Sequence, residues 1–111
     1  MNEEKISYSD FSRLDIRIGT VVSAEKVLGA DKLLKLQVDL GEEKLRTLVA
    51  GIALFTAPED IIGKQIPVFA NLEHRVIFGI LSEGMMLAAS AENNFSLLQA
   101  NGKLPNGSRV K

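Results

Sequence analysis

The sequence has no cysteine and no tryptophan, one histidine, three prolines and only six phenylalanine or tyrosine residues, five and one respectively, in 111 positions. Without cysteine there is no disulfide framework, no thiolate metal site and no thiol nucleophile. With His74 as the lone imidazole, no metal-ligand spacing emerges, and no glycine-rich loop of the phosphate-cradling kind is present. Ser82 stands in Ser-Glu-Gly, without the glycine pattern of a nucleophile elbow, and no spacing singles out a pair among the 14 acids. Catalysis and a cofactor are therefore not expected. No apolar run approaches the roughly 20 residues of a membrane-spanning helix. The start, Met1-Asn2-Glu3-Glu4-Lys5, is polar and acidic, unlike a secretory signal, so the expected place is the cytoplasm.

A strong charge of either sign is missing as well. Thirteen Lys and Arg stand against 14 Asp and Glu, a net charge of −1. That excludes a general polycation coating nucleic acid or anionic membrane, so any polyanion must be met by a local patch. What the chain has is 46% hydrophobic residues and a length suited to one domain over 1–111 with a real core.

Ser7 followed by Asp10 predicts a capped short helix from Tyr8 to about Leu14. Ile16, Ile18, Thr20, Val22 and Ala24 alternate as one face of a strand, with Gly19 marking a bulge or bend. After a loop over 27–33, Leu34, Leu36, Val38 and Leu40 alternate again. They turn at Gly41-Glu42-Glu43 into Leu45, Thr47 and Val49, a hairpin. Pro58-Glu59-Asp60 opens a second short helix closed by Gly63. Further strands are expected around 66–70, with Pro67 implying an edge or strand end, then at 75–78, 85–89 and 95–99. Three strands, a helix, then more strands is the order of an OB-fold, an all-β five-stranded Greek-key barrel whose ligands usually meet strands 2 and 3 and the loops joining strands 1–2 and 4–5. Here those loops fall near 27–33, with Asp31 and Lys32, and 71–76, with Asn71, His74 and Arg75.

Five short strings occur in order: Asp15-Ile16-Arg17-Ile18-Gly19, Ala30-Asp31-Lys32-Leu33, Val49-Ala50-Gly51-Ile52, Ala70-Asn71-Leu72 and Ser82-Glu83-Gly84-Met85. Together they resemble the signature segments of the tRNA-binding domain family. That family includes the C-terminal appendix of many methionyl-tRNA synthetases and free-standing structure-specific tRNA-binding proteins, and the short chain looks like the free-standing kind. The resemblance spans about 8–111. It implies an OB-fold barrel over about 8–85 and an extension over about 86–111 that makes a symmetric homodimer. It also implies recognition of the outer corner of the L-shaped tRNA, with an aminoacyl-tRNA synthetase as a further partner. Shape readout suits folded RNA, whose base edges lie in a narrow groove. So few aromatic residues, most of them expected in the core, do not make an extensive stacking platform.

Eight residues come forward as candidate tRNA contacts, six of them weighed with the resemblance and two, Lys35 and Arg46, by their place on the hairpin. Lys32 offers a point charge to phosphate, where otherwise it is a solvated lysine, and Arg75 offers a forked contact. Asn71 is a ligand or a strand end bonding its own backbone. Ser82 supplies a hydroxyl, Gly84 close backbone approach or simply a turn, and Met85 a flexible thioether, since one of Met85 and Met86 must face outward in a strand. Lys35 and Arg46 lie on the hairpin face, either as phosphate contacts or as ordinary polar surface. Arg17 is read as the ion-pair partner of Asp15. The family commonly carries a further cation where Val76 stands, which would weaken affinity here. Met86, Leu87, Phe95, Leu97, Leu98, Leu104 and Val110 form the apolar part of the extension, as a dimer surface or a seal for the barrel. The competing function is a dimeric, chaperone-like module of the same fold family that binds peptide or protein.

Overall fold

The computed structural model describes residues 4–111; of the polar start, residues 1–3 lie outside the described part. Helix α1 (Tyr8–Ser12) begins where expected, with the Ser7 hydroxyl accepting the Asp10 N–H at 3.0 Å. It is shorter than predicted. Strands β1 (Ile16–Val27), β2 (Ala30–Asp39), β3 (Arg46–Ala50), β4 (Gln65–Phe69) and β7 (Met85–Met86) make an antiparallel sheet ordered β3-β2-β1-β4-β7. Helix α2 (Pro58–Ile61) separates β3 from β4. Two hairpins, β5 (Arg75–Ile77) with β6 (Ile80–Ser82) and β8 (Ala88–Ala91) with β9 (Asn94–Leu97), complete the elements.

The expected loop over 27–33 shrinks to a two-residue turn at Leu28-Gly29, because Val27 pairs directly with Ala30. Lys32 is consequently on strand β2. The face foreseen for β1 is also revised. A β-bulge falls at Val22, between the pairs Val21–Val38 and Ser23–Gln37. The extra residue lets both Val21 and Ala24 face the core across from Val38 and Leu36, and leaves Val22 exposed. Gly19 is not the bulge. It points at the core side chains of β2, where a Cβ would stand 2.5 Å from a Leu40 methyl.

The core is what the alternation of β2 and β4 requires: Leu34, Leu36 and Val38 from β2 with Leu40 just past its end, Leu48 from β3, Ile66 and Val68 from β4, and Ile61 from α2, all essentially without solvent exposure. Strand β4 lies between β1 and β7 rather than at an edge. Pro67 is tolerated because the ladder to β7 stops beside it: Leu87 N–H donates to the Pro67 carbonyl, and proline has no N–H for the reciprocal bond.

The barrel closes across the free edge of β3. Glu83 N–H donates to the Thr47 carbonyl at 2.8 Å, the Glu83 carboxylate accepts the Thr47 N–H at 2.9 Å, and the Ser82 hydroxyl accepts the Val49 N–H at 3.0 Å. The extension both seals and decorates this barrel. Met86 enters the core, and Phe95 and Leu97 pack against it. Residues 107–110 lie along β1, with N–H groups of Gly107 and Val110 bonded to the Ile18 and Ile16 carbonyls. Leu98 and Leu104 stay exposed.

Candidate nucleic-acid interface

Beside the closing seam, a cleft of ≈ 280 Å³ opens between the end of β3, the segment 72–77 and the segment 82–88. Strand β3 delivers Val49 and Ala50, and the chain then leaves the sheet through Gly51 and Ile52. Hairpin β5–β6 presents Arg75 and Ile77 on one face and turns Val76 away, as strand alternation demands. Met85 is 43% exposed at the mouth while Met86 is buried, so one of the adjacent pair does face outward.

Four of the eight candidates therefore line one cavity: Arg75, Ser82, Gly84 and Met85. They contribute in different ways. Arg75 is exposed and has no ion-pair partner among the described residues. Ser82 is buried, its hydroxyl accepting from Val49 and donating to the Gly84 carbonyl at 3.1 Å. The fold thus uses the hydroxyl's one donor and one of its two acceptor sites. Gly84 has φ +137°, and a Cβ there would meet the Phe69 carbonyl oxygen at 2.8 Å. The close backbone approach it permits is to β4, inside the protein.

Two further candidates are engaged by other parts of the fold. Arg46 makes a two-pronged pair with Glu42, Nε to Oε1 at 2.8 Å and Nη2 to Oε2 at 2.9 Å. Its Nη1 donates to the carbonyls of Ala70 and Glu83. The guanidinium thus ties β3, the end of β4 and the seam together, and it is four-fifths buried. Hydrogen bonding to Arg46 holds the Glu42 carboxyl below its ordinary value, against a smaller opposing effect of burial. Asn71 accepts the Asp15 N–H and donates to the Arg13 carbonyl, both at 2.8 Å, so it pins the α1–β1 connection across to the end of β4. The anticipated Arg17–Asp15 pair is present at 2.8 Å, and Arg17 lowers the Asp15 pKa in the same way, chiefly by its hydrogen bond.

The remaining cations lie outside the cavity. Lys32 is exposed and unpaired among the described residues, and its carbonyl accepts the N–H of Ala53, just past the Gly51-Ile52 wall. Lys35 sits directly across from Val49 in the β2–β3 register, with Glu25 at 3.8 Å, a loose and partly exposed pair. Residue-by-residue reasoning passed over the apolar walls, Val49 to Ile52, Leu72 and Ile77, and the acidic Glu73. The signal for most was already in view, since Val49-Ala50-Gly51-Ile52 and Ala70-Asn71-Leu72 are two of the five ordered strings.

The model "Putative tRNA binding domain" matches residues 16–109. Among curated proteins, the methionine–tRNA ligase of Listeria innocua is 45% identical over 96% of this chain, and that of Methanococcoides burtonii 52% identical over 87%. The chain spans only 16% and 14% of their lengths. Among solved structures, a MetRS-related protein from Pyrococcus horikoshii superposes with TM-score 0.92 at 34% identity, covering 97% of this chain and 99% of that one. The chaperone CsaA from Bacillus anthracis superposes with TM-score 0.88 at 35% identity, covering 97% and 100%. By its ordered sequence strings, its OB-like barrel and these likenesses, this chain belongs to the tRNA-binding domain family.

Proposed function

We propose that this domain binds folded tRNA by shape, at the outer corner of the L, laying phosphates against Arg75 and Lys32 and packing Met85 against a ribose or base at the cleft mouth. The observation that carries this reading is the place of Arg75, a cation without an ion pair among the described residues that lines the cleft. Arg17 and Arg46 are engaged by carboxylates, whereas Arg75 at the cleft and Lys32 near its wall have no such partner among the described residues. In a chain with net charge −1, Arg75 and Lys32 beside one concave surface, which Glu73 also lines, supply the local positive charge that a polyanion needs. Lys35 adds a weaker third charge. The work is non-catalytic and cytoplasmic, and delivers tRNA to an aminoacyl-tRNA synthetase, raising its local concentration there.

The domain acts as a homodimer. Leu98 and Leu104 of the extension remain over 40% exposed on the single chain, which supports a partner surface there. Truncation after Ala89 would also strip Phe95 and Leu97 from the core, so the cleaner test is Leu98→Asp with Leu104→Asp. Sedimentation of that variant as a monomer, with its fold intact, is expected; a persisting dimer contradicts the assignment.

The chaperone likeness gives a second reading some support, because the cleft walls are largely apolar and suit a peptide side chain as well. Competition separates the two. Folded tRNA should displace labelled tRNA far better than an unstructured RNA of equal length or an unfolded polypeptide; displacement by the polypeptide alone would favour the chaperone reading.

A further inference from the structure

Hairpin β5–β6 turns on Ile77-Phe78-Gly79-Ile80, with φ +51° at Phe78 and +79° at Gly79. Positive φ at both central positions is the habit of type I′ turns, where Asn, Asp or Gly is favoured first and an aromatic residue is disfavoured by its Cβ. Phe78 is not held there by burial either, since it is 59% exposed. Neither backbone preference nor core packing accounts for a phenylalanine at this tip. The ring is nevertheless braced: it reaches the Leu28-Gly29 turn of the neighbouring hairpin, where a Cβ on Gly29 would stand 3.4 Å from its Cζ. The same hairpin carries Arg75 and Ile77 into the cleft. Arg75 lies three residues back, about 10 Å along the strand.

We infer that Phe78 is a stacking residue: its exposed face receives one unpaired nucleobase of a folded tRNA while Arg75 holds a nearby phosphate. This rests on the tRNA-binding reading above. A single ring suits a protein that reads shape, because every base has a π-face and stacking is tolerant of sequence. A positive-φ position that holds an exposed aromatic ring beside the Leu28-Gly29 turn fits a role in contact rather than in folding.

Two variants test it. Phe78→Asn removes the ring and supplies a residue the turn favours, so thermal stability should equal or exceed that of the wild type. Affinity for tRNA should fall about tenfold or more. The slope of log affinity against log salt should stay unchanged, because no phosphate contact is lost. Phe78→Trp gives the chain its only tryptophan, which should retain affinity and be quenched on saturation with tRNA. Wild-type affinity in Phe78→Asn together with unquenched Phe78→Trp overturns the inference and leaves tRNA binding standing. A Phe78→Asn chain that turns from dimer to monomer at undiminished affinity assigns the ring to self-association and overturns it too. Failure of the wild type to bind tRNA overturns the parent reading and the stacking role with it.

Discussion

The Ser82 hydroxyl accepts the Val49 N–H at 3.0 Å and thereby joins β3 to the segment that closes the barrel. The same oxygen donates to the Gly84 carbonyl, so a side chain foreseen as a ligand group also completes a backbone ladder. Ser82→Ala leaves both buried backbone groups short of a partner. Its expected cost is about 1–3 kcal/mol of stability, read from urea unfolding with an unchanged m-value. An unaltered midpoint combined with lost tRNA binding would return Ser82 to the ligand surface.

The Arg46–Glu42 pair makes a pH prediction. Arg46 lowers the Glu42 pKa in the folded state, so the paired carboxylate adds stability above the ordinary carboxylate range and loses that contribution as pH falls below about 4. Glu42→Gln should therefore be less stable than the wild type at pH 7, with the difference reduced at pH 3, where the unfolded chain's carboxyl is already largely protonated. Urea midpoints at the two pH values check this, and a difference undiminished in acid would assign the effect to packing.

Val76 makes a third. The cation missing at this position lies on the face of hairpin β5–β6 that turns away from the cleft, whereas Arg75 and Ile77 line it. Val76→Lys should consequently raise tRNA affinity by less than Arg75→Ala lowers it, as measured by filter binding at one fixed salt concentration. A larger gain than loss would mean that the RNA runs over the outer face of the hairpin.

Which parts of this were legible in the residues follows from physical range. The β2 run Leu34, Leu36, Val38, Leu40 and the Ser7 cap are local patterns, and both appear as read. The bulge at Val22 was not legible, because it is imposed by the pairing of β1 with β2 and no glycine or proline marks it. The same holds for the Leu28-Gly29 turn, whose strands run through residues that look polar enough for a loop. At the site, Arg75 and Met85, put forward separately as contacts, line one cleft. The tertiary bonds of Arg46, Asn71 and Ser82 were not legible in the sequence, since their distant partners, Ala70, Arg13 and Val49 among them, lie 24 to 58 residues away and are set only by closure of the barrel.

The measurement that bears most directly on the central claim is tRNA affinity across a salt series for the wild type and for Lys32→Ala with Arg75→Ala. A patch neutralising about four phosphates gives a slope of log affinity against log salt of roughly −3 to −4, and removing two cations should flatten it by about 2. Binding that is insensitive to salt, or a double variant with the wild-type slope, would contradict the account.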